Sequence, residues 1–298
     1  MTQNKCCRHG ASLRRRRRRR RKILRSIIFS CSIIAVAVFV AVGSRMITSG
    51  DGGTNKYDVE AGNNTYDNAV IENSKISEKN KIQNNQSMLD DIMNSTQYPK
   101  QLQELALKNE EALEFVYDYP TEHVKEHTID LTEEASMDSV PLFVQWDKRW
   151  GYEKYSGNFF AASGCGPTTL SMVVVYLTHN RDASPIAVAK YSKEAGYSVD
   201  GSGSSWTLVS EGCRHYGVKA KTVALDESRM KAELDAGHPI VVNVGPGDFT
   251  DTGHFMVITG YDDEGFSIND PNSIEKSGKR WLFKNISSQI RAVWSMYV

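Results

Sequence analysis

The possible fold is limited most strongly by a stretch of thirteen residues, 165–177, with the sequence CGPTTLSMVVVYL. Its periodicity is not that of a surface helix, because apolar residues fall on nearly every side of a helical wheel. Pro167 suits the first turn of a helix, so the helix is predicted to begin near Cys165. A helix without a polar face has to be buried, and we therefore expect it at the centre of a domain.

Cys165 is predicted to lie at the N-terminal end of this buried helix. The positive end of the helix dipole favours a thiolate there, which is the form of cysteine that acts as a nucleophile. Gly164 and Gly166 flank it and give close access to the sulfur. A lone cysteine is more often a small buried apolar side chain, but the Gly-Cys-Gly-Pro setting favours a nucleophile.

A nucleophilic thiol needs a base, and His254 is the histidine that best fits that role. It begins an apolar strand, residues 254–261, behind a Gly-Pro-Gly-Asp loop at 245–248 that is able to line a cleft. The other histidines lie before the arginine run, in a polar connector, at the far end of the central helix, or in helical and turn segments. They are His9, His123, His127, His179, His215 and His238.

The pattern H-x-x-E-H at residues 123–127 is also that of inverted zinc metallopeptidases. Two histidines four residues apart share a helix face and are able to bind zinc. The flanking residues are Thr, Glu and Lys, with no long helix and no recognisable further ligand, which favours a polar connector. We therefore expect no metal and no cofactor.

The residue that orients the imidazole depends on the register of a hairpin. The strand that starts at His254 turns through residues 262–265 and returns towards Asn269 and Asp270. A four-residue loop puts Asn269 on the face of His254, whereas a five-residue loop puts Asp270 there, because a one-residue slip exchanges the faces. Both side chains accept a hydrogen bond, so spacing alone leaves the two alternatives open.

Together these residues resemble the bacteriocin-processing (double-glycine leader) peptidases and their relatives without a transporter, family thirty-nine of the cysteine peptidases in the papain clan. The resemblance covers about residues 140–298. It rests on VPLFVQWD at 140–147, GCGPT at 164–168, GHF at 253–255 and NDP at 269–271.

The resemblance implies an α+β, papain-like fold in which a central helix packs on an antiparallel sheet. It implies hydrolysis of peptide bonds by a triad of Cys165, His254 and Asp270, with Gln145 donating to the oxyanion. Gln145 lies 20 residues before Cys165, farther than in the transporter-linked members. The chain has no G-x-x-x-x-G-K-[ST] phosphate loop, so we expect no ATP-binding domain in it.

Two other functions stay open. The same order of cysteine, histidine and carboxylate occurs in cell-wall amidases, endopeptidases and acyltransferases, so the chemistry does not identify the substrate. A non-catalytic surface binding module with this fold is the second alternative. The expected partner is a peptide or protein substrate, and Trp206 is expected either to line its site or to be buried at a helix start.

The N-terminal region predicts a membrane anchor. Residues 1–46 contain 13 Lys and Arg and no acidic residue, so all 36 acidic residues and only 23 basic ones follow. An arginine run at 14–21 precedes seventeen uncharged residues, 27–43, which is at the short end of a spanning helix. Basic residues stay on the cytoplasmic side, which puts the rest of the chain outside the cell.

Two alternatives for this region are a cleaved signal peptide ending near Ala41-Val42-Gly43 and a nucleic-acid-binding patch. The apolar segment directly behind the arginines argues against the patch, and no nucleic acid is expected as a partner.

We therefore predict a single-pass protein of the cell membrane, with its N-terminus cytoplasmic and its catalytic domain extracellular. Within the helical connector, Leu102, Leu105 and Ala106 share one face, which we expect to pack on the domain that follows. The predicted segments are a basic cytoplasmic tail (1–26), a transmembrane signal anchor (27–43), a disordered tether (44–87), the helical connector (88–135) and the peptidase domain (136–298).

Overall fold

The computed structural model describes residues 64–298, of which 68–298 form one compact unit. The predicted tail, the predicted signal anchor and the first part of the predicted tether lie outside the described residues. Within residues 64–298, no helix has both the length and the apolar character needed to cross a bilayer.

The described helices fall into an N-terminal group, a pair at the centre of the domain, and short helices between strands. They are α1 (Asn64–Asn94), α2 (Lys100–Lys108), α3 (Leu113–Tyr117), α4 (Tyr119–Glu122), α5 (Phe160–Ser163), α6 (Cys165–Thr178), α7 (Pro185–Glu194), α8 (Thr207–Ser210), α9 (Glu227–Asp235), α10 (Ile274–Ser277) and α11 (Phe283–Ile286).

The main sheet is antiparallel and has six strands in the order β5-β10-β6-β7-β8-β9. Two small hairpins, β1-β2 and β3-β4, lie outside it. The strands are β1 (Lys154–Tyr155), β2 (Asn158–Phe159), β3 (Ser198–Val199), β4 (Gly203–Ser204), β5 (Lys219–Thr222), β6 (Ile240–Val244), β7 (His254–Asp262), β8 (Gly265–Asn269), β9 (Arg280–Trp281) and β10 (Ile290–Tyr297).

The sheet has an apolar core on each face. Helix α6, which is buried along its length from Gly166 to Val175, packs on the face that carries Phe255 and Val257 of β7. Met256 alternates with them and faces the second core, to which Met230 of α9 contributes. Alternation along a strand sends neighbouring side chains to opposite faces, so strand β7 is covered on both sides. The predicted mixed fold, with a central helix against an antiparallel sheet, is the architecture observed.

The helical connector packs as expected. The buried side chains of α2 are Leu102, Leu105 and Ala106, and they share a core with Phe159 and Ala161, close to Cys165 in sequence. The long helix α1 differs from the prediction, because it is continuous over residues 64–87, for which the composition predicts a disordered tether. Its exposed side chains over 75–84 nevertheless show that this part is solvated.

Candidate active site

Cys165 is the first residue of α6, and its side chain is half-buried. The two flanking glycines are needed for close packing. A Cβ at Gly166 would lie 2.6 Å from Ser204 Oγ, and one at Gly164 would lie 2.6 Å from the Phe160 ring. The sequence suggests that these glycines give close access to the sulfur. The structure shows that they also let hairpin β3-β4 and α5 pack directly against the start of the helix.

His254 is the first residue of β7 and is buried. Its Nε2–H donates to Asp270 Oδ1 over 2.7 Å, and Asp270 is fully buried. Since Nε2 is taken by the carboxylate, Nδ1 is the ring nitrogen that can hydrogen-bond to the thiol of Cys165. Residues 165, 254 and 270, which the sequence proposes as a group, therefore lie together.

The hairpin shows why Asp270 rather than Asn269 reaches the imidazole. At the turn Tyr261 pairs with Phe266, the register of the four-residue loop that favours Asn269. Beyond the turn, a β-bulge between Ile258 and Gly260 adds one unpaired residue to β7, so Val257 pairs with Asn269. A bulge reverses the parity of the faces in the same way as a longer loop.

Asn269 consequently points away from His254. Its Nδ2–H groups donate to the backbone carbonyls of Val140 and Pro141, both over 3.1 Å. Asn269 thereby holds the segment that enters the domain, while Asp270 holds the histidine.

The charges in this group stabilise one another. Burial by itself raises the pKa of the Cys165 thiol, but the hydrogen bond and charge of His254, with the backbone N–H groups of Phe255 and Gly166, outweigh burial and lower that pKa below its ordinary value. Burial lowers the pKa of His254, yet the charge and hydrogen bond of Asp270 and the contact with Cys165 raise it to about 10. These opposite shifts favour a thiolate–imidazolium pair.

The backbone N–H of Phe255 is a contributor that sequence analysis cannot find, because any residue at that position supplies the same donor. It follows directly from the position of His254 at the start of β7.

Cys213 provides an internal contrast. Both Cys165 and Cys213 are free thiols, so they do not form the disulfide that their number permits. Cys213 lies in the 3₁₀ turn Gly212–Tyr216, is fully buried, and has its pKa raised to about 11 by burial. A protonated, inaccessible thiol is inert.

Gln145 is buried and fixed at two points. Its Nε2–H donates to the carbonyl of Ala161 over 2.7 Å, and its backbone N–H donates to the carbonyl of Pro271 over 2.7 Å. Ala161 precedes Cys165 by four residues and Pro271 follows Asp270, so Gln145 links the two sides of the site. A primary amide has a second N–H, which the bond to Ala161 leaves available.

The remaining residues singled out by the sequence lie elsewhere. His123 bonds to the carbonyl of Tyr119 and stacks on its ring, and His127 bonds to the carbonyl of Glu122 over 3.2 Å. Among the described residues no group of His, Cys, Asp and Glu has the arrangement of a metal site. Trp206 precedes α8 and is 48% exposed, with its ring edge-on to Trp294 at 5.9 Å. Trp206 is therefore not buried at the helix start, and its place in a substrate site stays a prediction.

The sequence model of the Peptidase_C39 like family matches residues 137–298, more than half of the chain. The chain belongs to this family. The resemblance that the sequence motifs indicate is therefore confirmed, and the matched residues include the whole candidate site. No curated protein matches the chain.

Five solved chains are similar, including the following two. A protein described as a C39-like peptidase from Bacillus anthracis has 16% identity and a TM-score of 0.34, covering 53% of this chain and 95% of its own. The peptidase domain of Streptococcus ComA, a bi-functional ABC transporter involved in a quorum sensing pathway, has 18% identity and a TM-score of 0.39. It covers 53% of this chain and 96% of its own.

Proposed function

We propose that this chain is a cysteine peptidase in which Cys165 is the nucleophile, His254 the general base and acid, and Asp270 the residue that orients the imidazole. The observation that carries the proposal is the buried bond from His254 Nε2 to Asp270 Oδ1, beside a thiol at the start of a buried helix. Family membership makes peptide-bond hydrolysis the natural chemistry for this arrangement.

The proposed reaction has two steps. The Cys165 thiolate bonds to the carbonyl carbon of the scissile peptide, and the carbonyl electrons move to its oxygen. When the carbon–nitrogen bond breaks, His254 Nδ1 gives its proton to the leaving amine, which leaves a thioester. Water then attacks the thioester and gives a proton to His254, and the acid product departs as the Cys165 thiolate is restored.

Gln145 is proposed to stabilise the oxyanion in both steps. A side-chain amide donor aimed at developing negative charge lowers the barrier, and removing such a donor typically costs about 10²–10³ in kcat. The support is that the Gln145 amide is buried and held by Ala161, within one turn of Cys165 in sequence. This fixes the amide before a substrate binds.

The proposal is tested with the full chain on a peptide library and on purified peptidoglycan, with Cys165→Ala as the control. Cleavage of peptides that disappears in Cys165→Ala is the expected result. Turnover that is unchanged in Cys165→Ala would exclude the mechanism. Cys165-dependent release of fragments from peptidoglycan alone would identify a cell-wall amidase or endopeptidase instead.

We further propose that residues 27–43 anchor the protein in the cell membrane, with the N-terminus cytoplasmic and the peptidase domain extracellular. The support is the charge asymmetry of the sequence. Carbonate extraction of membranes and protease treatment of intact cells test this directly. Release of the full-length chain by carbonate, or protection of the C-terminal domain from added protease, would contradict it.

A further inference from the structure

The turn that carries Asp270 is held by a carboxylate from outside the region that matches the family. Glu111, in the 3₁₀ turn Glu110–Ala112, accepts hydrogen bonds from the hydroxyl of Ser273 and from the backbone N–H groups of Ile274 and Glu275, the latter two over 2.7 and 3.0 Å. Hydrogen bonds to a charged acceptor are about twice as strong as neutral ones. Glu111 thus fixes the start of α10, four residues after Asp270.

A second residue of the same connector reaches the same turn. Asn109 Nδ2 donates to the carbonyl and to the side-chain oxygen of Asn272, over 2.9 and 3.0 Å. Its Oδ1 accepts from the backbone N–H of Glu111 over 3.0 Å, so the two residues also hold one another. Asn109 and Glu111 therefore hold the turn by hydrogen bonds at two successive points, residue 272 and residues 273–275.

The turn is itself hydrogen-bonded to Asp270, so fixing the turn also fixes the carboxylate. The backbone N–H of Asn272 donates to Asp270 Oδ1 over 2.8 Å, the oxygen that also accepts from His254. The backbone N–H of Asp270 donates to Ser277 Oγ in α10. Among the described residues Asp270 Oδ2 meets no donor. The orientation of the Asp270 carboxylate thus depends on the geometry of the turn, because only Oδ1 is held by hydrogen bonds and Oδ2 is not.

The connector itself is held in place by apolar packing against the domain. The buried faces of α2 and α3 include Leu102, Leu105 and Val116, and they form a core with Phe159 and Ala161 of the region that precedes Cys165. Buried apolar contacts of this kind keep the backbone of residues 109–111 in place relative to α5. The contacts from Glu111 to the turn span 162–164 residues of sequence.

We infer that Glu111 and Asn109 are positioning residues for the triad, and that the connector is part of the catalytic unit although the family match begins at residue 137. This rests on the proposed roles of Cys165, His254 and Asp270. Loosening the turn lets the Asp270 carboxylate rotate away from His254, which weakens the support of the imidazolium and, through it, of the Cys165 thiolate.

The test replaces Glu111 by Gln in the full chain and follows the pH dependence of Cys165 alkylation by iodoacetamide, with the site read by peptide mass spectrometry. A less stable imidazolium raises the apparent pKa of the thiol, so the alkylation midpoint should move to higher pH. On cleaved peptides kcat should fall between about 10-fold and 100-fold, the range for a small misplacement of catalytic groups, with KM nearly unchanged.

The matched control is Glu110→Gln, the same change one residue away, where the carboxylate contacts Asn85 of α1 instead of the turn. Asn109→Ser is the second variant, because serine can still cap the N–H of Glu111 but cannot reach Asn272. It should shift the alkylation midpoint in the same direction by less. Glu111→Asp, which keeps the charge, should recover part of the loss.

An alkylation midpoint that is the same in wild type, Glu111→Gln and Asn109→Ser would overturn the inference, even if the melting temperature falls. Alkylation needs no substrate, so this readout stays decisive if the chain cleaves no peptide. Failure of the proposed function appears as turnover that persists in Cys165→Ala, and failure of this inference appears as unchanged thiol titration.

Discussion

Cys165 and Cys213 are the same residue type in the same domain, yet their surroundings give them opposite chemistry. Cys165 is half-buried at the start of α6 and lies against a histidine and two backbone N–H groups that lower its pKa. Cys213 is fully buried among apolar side chains, which raise its pKa to about 11. The position of a thiol at a helix end, beside an imidazole held by a carboxylate, therefore decides its reactivity.

Removing each thiol in turn should give the widest difference in activity between two variants. Cys165→Ala should reduce kcat by at least about 10⁴-fold, as loss of a nucleophile does in catalytic triads. Cys213→Ala should leave kcat unchanged in the protein that remains folded. Peptide cleavage by both variants checks this, and a large loss of kcat in folded Cys213→Ala would break the contrast between the two cysteines.

The next effect concerns the two candidates for the third triad position. Asp270→Asn should lower kcat by roughly 10²–10⁴-fold, because an amide does not stabilise the imidazolium and allows the wrong tautomer. Asn269→Ala should lower only stability, since its contacts are the carbonyls of Val140 and Pro141. Steady-state kinetics of the pair are decisive: equal losses of kcat would contradict the assignment of Asp270.

The reactivity of Cys165 should depend on its histidine, and that of Cys213 should not. In His254→Ala the thiol loses the hydrogen bond and charge that lower its pKa. Alkylation of Cys165 at neutral pH should then fall by about tenfold or more, following the lost thiolate fraction. Mass spectrometry of both cysteine peptides measures this. Labelling of Cys165 at the same rate in wild type and His254→Ala would rule out an activated nucleophile.

The dependence of activity on pH should follow the protonation of Cys165 and His254. The pKa of Cys165 is lowered and that of His254 is raised to about 10, so the active thiolate–imidazolium pair forms as the thiol loses its proton and is lost as pH rises through about 10. A profile of kcat/KM against pH should therefore rise on the acid side, level off, and fall near 10. A profile that still rises there would disagree with this pair.

The smallest effect is on stability. Cys213→Ala removes a fully buried sulfur and should cost about 1–2 kcal/mol in the free energy of unfolding, because it leaves a small cavity. Cys165→Ala should cost less, since its side chain is half-buried. Urea denaturation measures the free energy of unfolding of both variants. A larger loss of that free energy in Cys165→Ala than in Cys213→Ala would contradict this prediction.

The residue types and order of the site could be predicted from the sequence because local patterns carry them. An apolar helix after Gly-Cys-Gly-Pro locates Cys165, and an apolar strand after a glycine-rich loop locates His254. The choice between Asn269 and Asp270 was beyond such patterns, because it depends on a bulge that the turn sequence does not reveal. The resemblance to a family favoured Asp270, and the geometry agrees.

No sequence pattern predicts the hydrogen bonds between Glu111 and the turn after Asp270. They join side chain to backbone across more than 160 residues, and any residue at 274 or 275 other than proline offers the same N–H. The helical face of Leu102, Leu105 and Ala106 was predictable because it follows the helical period. The prediction of disorder up to residue 87 rested on composition, which does not register that α1 continues into the packed part of the connector.

The bulge at Thr259 makes the two ends of one hairpin obey different registers. At the tip Tyr261 pairs with Phe266. At the base Val257 pairs with Asn269, and Asp270 shares the face of His254, only because Thr259 of β7 stays unpaired. A chain lacking Thr259 would keep all of these pairs in one register, because Ile258 and Gly260 would then be consecutive opposite Ile268 and Ser267. Hydrogen exchange along β8 should therefore change little in that deletion. A chain that keeps Thr259 but pairs it in the ladder would extend the register of the tip to the base, which puts Ile258 opposite Asn269 and moves Asp270 off the face of His254. The site therefore requires that no paired residue stands between Ile258 and Gly260.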